Sequence, residues 1–328
     1  MTAAAPAGQR LRGALLRRVW RLALAVAPML LTGACVLLPQ RAPDIALPAA
    51  LPVAAELTQV PFYPQDEYQC GPATLAMALT YAGTARTPQQ LQGQVYLPQR
   101  HGALQPEMLA APRRAGLLTY PLAPALGSIL QEIAAAHPVI VLQNLGWSLF
   151  PQWHYALVVG YSLDRNEIVL RSGTTQRLAM GLSDFARSWE RAGRWAFVVL
   201  PPGQLPATAR EDDYVAAAAS LERVAPAPAG AAYAAALARW PGNVVALVGL
   251  GNIAYGAHRL ADAERAYRKA TEDHPESGDA WNNLAQVLHE AGRDAEAITA
   301  ARRAVTIGGE RASIYRETLD AIGPPTAR

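Results

Sequence analysis

A repeat with a period of about 34 residues runs through the C-terminal third of the chain and constrains the fold more than any other feature of the sequence. Small and apolar residues recur at this spacing: Leu247, Leu250, Gly251, Ala263, Tyr267, Ala270 and Pro275 are followed by Trp281, Leu284, Ala285, Ala297, Ala301, Ala304 and Gly309. A weaker copy lies one period upstream, at Ala229, Tyr233, Ala236 and Pro241. Because each repeat must bury its apolar face against the next, the pattern predicts stacked pairs of antiparallel helices.

This pattern resembles the tetratricopeptide repeat, in which small side chains let two helices pack closely. We expect an all-α domain over residues 212–322, with a degenerate first repeat from about Asp212 and a capping helix from Arg311 to Ile322. The resemblance implies a concave groove that binds a peptide segment or a partner protein. The alternative is that the repeats only stabilise or space the domain that precedes them.

A second constraint lies between Val60 and Gly83, where the sequence predicts an extended arm, a turn and a helix that begins at Cys70. Pro72 suits the first helical turn because its missing N–H would have no partner there. The helix is apolar nearly all round, so we expect it to be buried. Free N–H groups and the dipole at its N-terminus favour a thiolate. Cys70 is therefore a candidate nucleophile, and Gln65, five residues upstream, is a candidate oxyanion donor.

The segment that follows changes from helical to strand periodicity. The predicted helices are 88–96, 105–116, 125–136 and 183–192, and Thr87 is the expected N-cap of the first. The predicted strands are 138–142, 154–162, 167–172 and 195–200. Helices come mainly first and an antiparallel sheet second, which predicts an α+β domain over residues 60–202, followed by a linker over 203–211.

His154 opens one of these strands, directly after an aromatic loop that contains Trp147 and Trp153. A thiol that attacks an amide needs a base to take its proton and later to protonate the leaving amine. A histidine at a strand start is more often structural. Of the six histidines, however, His154 is the best placed to face a cysteine on a helix. In papain-like enzymes the nucleophilic cysteine lies on an N-terminal helix and the histidine base on a central strand, which is the same arrangement.

Cys70-Gly71-Pro72-Ala73, combined with His154 and its strand HYALVVG later in the chain, resembles the C39 peptidase family and its C39-like relatives. The best-known members are peptidase domains of bacteriocin-exporting ABC transporters, which cleave after a double glycine. The resemblance implies a papain-like fold, Cys70 as nucleophile and His154 as base. It also implies an oxyanion hole formed by Gln65 and the Cys70 backbone N–H.

Three positions depart from the family pattern. The transporter peptidases carry Gln six residues before the Cys and Asp directly before it. Here Gln65 lies five residues before Cys70, and Gln69 lies directly before it. Either glutamine could serve as the oxyanion donor. The family's third residue is an Asp after the His strand, where this chain has Ser172. A serine hydroxyl can accept a bond from imidazole but cannot stabilise imidazolium as a carboxylate does. Asp164 is an alternative orienter, although it lies in the turn at the far end of the strand.

The N-terminus has the layout of a secretory signal. Five arginines precede the apolar run from Leu22 to Leu31, which is too short to span a bilayer comfortably, and small residues follow it. The ending Thr32-Gly33-Ala34-Cys35 resembles a bacterial lipobox, with Thr32 in place of the usual Leu. The resemblance implies removal of residues 1–34 and lipidation of Cys35, while the Pro- and Ala-rich residues 35–59 form a tether. A non-cleaved anchor and a plain secretory signal are the alternatives.

Composition excludes several classes of protein. The chain has only two cysteines, which excludes a framework of several disulfides but allows a single Cys35–Cys70 disulfide. The net charge of +3 is due to the N-terminal arginines, so nothing indicates a nucleic-acid surface. The histidines lack ligand spacing with carboxylates or thiols, so we expect neither a metal nor a cofactor. No P-loop pattern occurs, so a bacteriocin-exporter function is not implied.

These observations favour a membrane-anchored cysteine peptidase whose repeats recruit a substrate or a partner protein. Val36 after the lipidated cysteine, in place of Asp, favours the outer membrane, with the protein facing the periplasm. One alternative is a catalytically weak C39-like binding module of the cell envelope, because Ser172 replaces the expected Asp. Another is transglutaminase-like or acyltransferase chemistry on the same dyad, since the sequence does not distinguish water from an amine as acceptor.

Overall fold

The computed structural model of the chain describes residues 50–65, 69–100, 102–147 and 149–323. The expected signal peptide, Cys35 and most of the expected tether lie outside the described residues. Within the described ranges, no helix is both long enough and apolar enough to cross a bilayer.

A seven-stranded antiparallel sheet forms the centre of the N-terminal region. Its strands are β1 (Ala54–Glu56), β4 (Leu118–Pro121), β5 (Val139–Asn144), β6 (Trp153–Ser162), β7 (Glu167–Ser172), β8 (Thr175–Gly181) and β9 (Ala196–Leu200). Six of them pair in the order β4-β9-β5-β6-β7-β8. Strand β6 is long enough to pair with β5 along its first half and with β1 along its last three residues. The strands β2 (Tyr96–Leu97) and β3 (Gly102–Ala103) form a separate small hairpin.

Helices cover both faces of the sheet because side chains alternate along its strands. The helices of this region are α1 (Cys70–Tyr81), α2 (Pro88–Val95), α3 (Gln105–Arg114), α4 (Leu126–Ala134) and α5 (Leu182–Glu190). Leu157 and Val159 of β6 pack on the face covered by α1, α2 and α3, whereas Ala156 and Val158 pack on the face of α4 and α5. Thr87 caps α2, as expected, by accepting a bond from the Gln90 N–H at 3.3 Å.

The α+β prediction is confirmed, but the sequence did not indicate several strands. Strand β8 lies at the sheet edge and is largely exposed, so it carries no buried apolar alternation. Strand β4 has only four residues and lies between helices, which breaks the expected order of helices before strands. Strand β1 lies inside the segment expected to be a tether, because its pairing with β6 uses main-chain groups and requires no apolar pattern. The sheet therefore begins before residue 60.

Seven helices follow the sheet among the described residues. They are α6 (Glu211–Glu222), α7 (Pro226–Arg239), α8 (Val244–Gly256), α9 (Leu260–Asp273), α10 (Gly278–Glu290), α11 (Asp294–Ile307) and α12 (Ala312–Ile322). The starts of α8, α10 and α12 are evenly spaced by the predicted period, and α6 and α7 form the degenerate first pair. The predicted repeat fold and its capping helix are confirmed.

The small residues of the repeat are explained by tyrosine rings that lie against them. A Cβ atom added to Gly249 would lie 2.3 Å from the Tyr233 ring, and one added to Gly251 would lie 2.3 Å from the Tyr267 ring. Each ring projects from the second helix of a pair onto the first helix of a pair. Only glycine at these positions allows the helices to approach so closely.

The expected linker over residues 203–211 is fixed to the sheet region. Glu132 is fully buried and accepts bonds from the Thr208 N–H at 2.7 Å, the Thr208 hydroxyl at 2.6 Å and the Ala207 N–H at 3.1 Å. The Tyr120 hydroxyl donates to the Thr208 carbonyl at 3.2 Å. The core beneath α4 continues into α6 and α7, and the described residues belong to one compact unit. The segment is therefore a packed junction between the sheet and the repeats.

Candidate active site

An open cleft of about 940 Å³ lies at the end of the sheet where β5 ends and β6 begins. Cys70 at the start of α1, His154 on β6 and Gln65 on the extended arm all line it. Arg100 and Leu104 form part of the wall next to the small β2–β3 hairpin. The sequence did not indicate this wall, because two-residue strands carry no periodicity.

Cys70 is the first residue of α1, and the start of this helix is packed tightly. The Thr74 hydroxyl donates to the Tyr155 carbonyl of β6 at 3.3 Å, which ties the first turn to the sheet. A Cβ atom on Gly71 would lie 2.7 Å from the Ala103 Cβ, so glycine is needed next to the cysteine. The free thiol of Cys70 is only partly exposed.

Burial sets the protonation of the two candidate catalytic groups. It raises the pKa of the Cys70 thiol, although the backbone N–H groups of Tyr155, Gly71 and Cys70 itself act in the opposite direction. It also lowers the pKa of His154. The expectation that the helix N-terminus favours a thiolate is therefore not met, because desolvation outweighs the local N–H groups. At neutral pH the resting pair consists of a neutral thiol and a neutral imidazole.

Ser172 lies directly behind His154. The His154 Nε2 atom and the Ser172 Oγ atom are 2.8 Å apart, and Ser172 is buried at the end of β7. Gly173 follows with φ of +58°, a backbone angle that glycine adopts without strain and that turns the chain into β8. Asp164 accepts a bond from the Ser162 hydroxyl at the opposite end of β6. Among the described residues, no carboxylate contacts the His154 ring.

Gln65 is buried and held by three bonds. Its backbone N–H donates to the Gly173 carbonyl at 3.0 Å, and its side-chain Oε1 accepts from the Gly173 N–H at 3.0 Å. Its Nε2 donates to the Thr74 hydroxyl at 3.3 Å. An amide nitrogen carries two N–H donors, and among the described residues the bond to Thr74 uses one of them. Of the two candidate glutamines, the described wall of the cleft includes Gln65 and not Gln69.

Cys70 and His154 approach the cleft from different layers of the fold. Alternation along β6 groups His154 with Ala156 and Val158, whereas α1 packs on the opposite face with Leu157. The two side chains share one cleft because both lie at the end of the sheet. Within the described part of the chain, no hydrogen bond joins the Cys70 thiol to His154. Catalytic hydrogen bonds are often long without substrate and tighten when it binds.

The aromatic residues near the site separate into two groups. Trp147 and Trp153 are 81% and 56% exposed, so they do not belong to the core, and Trp153 lines the cleft. Tyr63 is half-buried and packs against the core beneath α1. No group of three potential metal ligands occurs among the described residues.

Comparison with known proteins shows what the two regions resemble. Residues 57–197 match the Peptidase_C39 like family, and residues 248–312 match the tetratricopeptide repeat. No curated protein matches the chain.

Two solved structures are similar to part of the chain. One is described as a C39-like peptidase from Bacillus anthracis; it is 16% identical, covers 45% of this chain and 97% of its own, and has a TM-score of 0.37. The other is the peptidase domain of Streptococcus ComA, described as a bi-functional ABC transporter involved in quorum sensing. It is 21% identical, covers 44% of this chain and 99% of its own, and has a TM-score of 0.37.

Proposed function

We propose that this chain, which carries a Peptidase_C39-like domain joined to tetratricopeptide repeats, is a cysteine peptidase that uses a Cys70–His154 dyad. One observation carries the proposal. Cys70 and His154 are far apart in the sequence but line the same open cleft, and Ser172 supports His154 from behind. The cleft has the volume of a typical ligand site, which suits a segment of peptide.

In the first step the Cys70 sulfur attacks the carbonyl carbon of the scissile bond. His154 Nδ1 takes the thiol proton while the carbon–sulfur bond forms, because the resting pair is neutral and no thiolate is stored. His154 Nε2 and Ser172 Oγ are 2.8 Å apart. In this mechanism Nε2–H donates to the Ser172 hydroxyl, which leaves Nδ1 as the free base.

The negative charge on the substrate oxygen needs donors that are already in place. The second N–H of the Gln65 amide and the backbone N–H of Cys70 supply them. The attack produces a tetrahedral intermediate that carries this charge. When the intermediate collapses, the carbon–nitrogen bond breaks and His154 gives its proton to the leaving amine. A water molecule, deprotonated by His154, then hydrolyses the thioester, releases the acid product and restores the thiol.

Ser172 gives this site a weaker electrostatic support than an Asp would. A neutral hydroxyl orients the imidazole but adds little Coulombic stabilisation of the imidazolium that forms in each step. We therefore expect a working dyad with a modest rate. A catalytically weak binding module is the interpretation that remains if no substrate is cleaved.

The repeats are proposed to recruit a substrate or a partner protein through their concave groove. The packed junction supports this role, because Glu132 and Tyr120 of the sheet region bind the segment that leads into α6. A protein segment held by the repeats would thus lie at a fixed distance from the cleft. The proposed location is the cell envelope, with a lipid on Cys35 as the anchor and the outer membrane as the favoured site. This part rests on the sequence pattern alone.

The experiment is mass spectrometry of a peptide library mixed with the full-length protein, beside a Cys70→Ala control. We expect new peptide termini that vanish in the control, and their sequences give the specificity. Cross-linked rather than shortened peptides would instead indicate transfer to an amine. An unchanged library would refute the peptidase function.

A further inference from the structure

The loop between β5 and β6 exposes three large apolar side chains at its tip. Trp147, Leu149 and Phe150 are 81%, 86% and 78% exposed, and we refer to these three side chains as the apolar tip. Single apolar residues are common on protein surfaces, whereas a contiguous cluster of this kind marks a binding site. The dyad mechanism makes no use of it.

Hydrogen bonds hold the apolar tip in one conformation. The backbones of Trp147 and Phe150 bond to each other in both directions, at 3.2 and 3.1 Å, and the Leu145 N–H donates to the Gln152 carbonyl at 2.9 Å. A Cβ atom on Gly146 would lie 2.3 Å from the Phe150 carbonyl oxygen, so the two sides of the loop approach closely. The two sides of the loop therefore pair through their backbones as a hairpin.

A buried amide supports the base of this hairpin. The side-chain oxygen of Asn144 accepts bonds from the Gly146 N–H at 3.0 Å and the Gln152 N–H at 2.9 Å. The Arg191 guanidinium donates to the Asn144 carbonyl at 2.9 Å. Because Asn144 is buried, water cannot readily replace these bonds, and breaking them would leave a buried polar group without a partner. The base of the hairpin that carries the apolar tip is thus held to the sheet and to Arg191.

The base of the hairpin is also a wall of the cleft. Leu145, Pro151 and Trp153 line the same cavity as Cys70 and His154. A peptide that leaves the cleft on this side would contact the base of the hairpin, which leads to the apolar tip. Trp153 at the cleft wall and the three side chains of the apolar tip are all exposed and apolar, which suits a substrate that presents large apolar side chains.

A membrane is the competing occupant, and strand β1, which follows the proposed anchor, lies away from the apolar tip. The proposed lipid anchor precedes β1, which pairs with the last three residues of β6. The apolar tip lies before the first residue of β6, at the other end of this ten-residue strand. At about 3.3 Å per residue these two ends are about 30 Å apart along the strand. Strand β1, where the described chain begins to pair with the sheet, and the apolar tip thus lie at opposite ends of β6.

We infer that the apolar tip is a specificity element that binds large apolar side chains of the peptide substrate next to the scissile bond. This inference rests on the proposed peptidase function. The substrate class is a peptide segment with two or more Leu, Met, Ile or Phe residues on the side that leaves the cleft over the hairpin.

The test compares the full-length protein with the triple variant Trp147→Ser, Leu149→Ser, Phe150→Ser. Val224→Ser with Val245→Ser is the control, since these apolar side chains are also on the surface, 52% and 46% exposed, but lie in the repeat region. The substrates are synthetic peptides that carry Phe, Leu, Ser or Lys at each position of a common scaffold. We expect the triple variant to lower kcat/KM for the Phe and Leu peptides by about tenfold or more and to leave the Ser peptides unchanged.

A binding measurement keeps this inference separate from the proposed chemistry. In the Cys70→Ala protein, apolar peptides should change the Trp147 fluorescence, and the change should be lost when Trp147→Phe is added. Binding of this kind without any cleavage by the unmodified protein would support the apolar tip and refute the peptidase function. Cleavage with equal preference for apolar peptides in the triple variant would overturn the inference and leave the function intact.

The membrane alternative has its own readout. Vesicles of phosphatidylglycerol and phosphatidylethanolamine with brominated chains would quench Trp147 if the apolar tip entered the bilayer. Such quenching, lost in Trp147→Phe and accompanied by an unchanged peptide preference of the triple variant, would overturn the inference in favour of membrane contact.

Discussion

Replacing Ser172 by Asp tests whether the residue behind His154 sets the basicity of the dyad. The Ser172 hydroxyl lies 2.8 Å from His154 Nε2 and is neutral. A neutral hydrogen bond contributes about 0.5–1.5 kcal/mol, and one to a charged group about 1.5–3 kcal/mol. The difference of roughly 1–1.5 kcal/mol corresponds to a rise of about one unit in the pKa of His154.

The sign of the pH effect follows from the role of His154 as a base. The imidazole must be neutral to accept a proton, so kcat/KM falls as the pH drops below the pKa of His154 in the free enzyme. Burial lowers this pKa in the unmodified protein, so we expect kcat/KM to be retained in mild acid. In Ser172→Asp the carboxylate stabilises the imidazolium, so the acid limb moves to higher pH while the plateau rate increases by up to about tenfold.

The assay is the pH profile of kcat/KM on a peptide identified from the library, for the unmodified protein, Ser172→Asp and Ser172→Asn. Asn has the shape of Asp without its charge, so Ser172→Asn should keep the acid limb of the unmodified protein. Denaturation curves check that the three proteins are equally folded. An acid limb at the same pH in Ser172→Asp and Ser172→Asn would refute the reasoning.

Three further predictions follow from burial and packing. Iodoacetamide should label Cys70 slowly at pH 7 and faster as the pH rises, because burial raises the pKa of the thiol; labelling that is already fast and constant at pH 6 would show a stored thiolate. Glu132→Ala should lower the free energy of unfolding by about 1–3 kcal/mol, since it removes a fully buried acceptor from the partly buried donors of Ala207 and Thr208. Exposed Glu190→Ala should change it by less than about 1 kcal/mol, and equal losses in urea denaturation would contradict this. Gly251→Ala should lower the free energy of unfolding by about 1–3 kcal/mol because its methyl group would meet the adjacent tyrosine ring. Gly256→Ala lies in the same helix but has open space around it, so it should be neutral or slightly stabilising. The reverse order of melting temperatures would refute the packing argument.

The sequence predicted the parts of the fold that show either a repeated pattern of small residues or a buried apolar segment. The recurring small residues give the repeat helices, and the apolar segments around Cys70 and His154 give the helix and strand that carry the two side chains. The position of Ser172 follows from its place at the end of the next strand. These features depend on local periodicity, which a single sequence displays directly.

The remaining features depend on contacts between distant segments. The junction at residues 203–211 resembles a polar linker, because nothing in the sequence shows that Thr208 meets the buried Glu132. The pKa of Cys70 is set by how deeply the surrounding layers bury the thiol, which outweighs the local effect of the helix N-terminus. Likewise, the composition of the β5–β6 loop does not distinguish a buried Trp147 from an exposed one.

The central claim is that Cys70 forms a covalent acyl-enzyme with the help of His154. Rapid quenching of the full-length protein with a cleaved peptide, followed by intact-mass and fragment mass spectrometry, tests it most directly. We expect a mass increase equal to the N-terminal fragment of the peptide, located on Cys70, which accumulates in the unmodified protein and is absent in His154→Ala. Cleavage that proceeds without this adduct, or an adduct that forms equally fast in His154→Ala, would contradict the account.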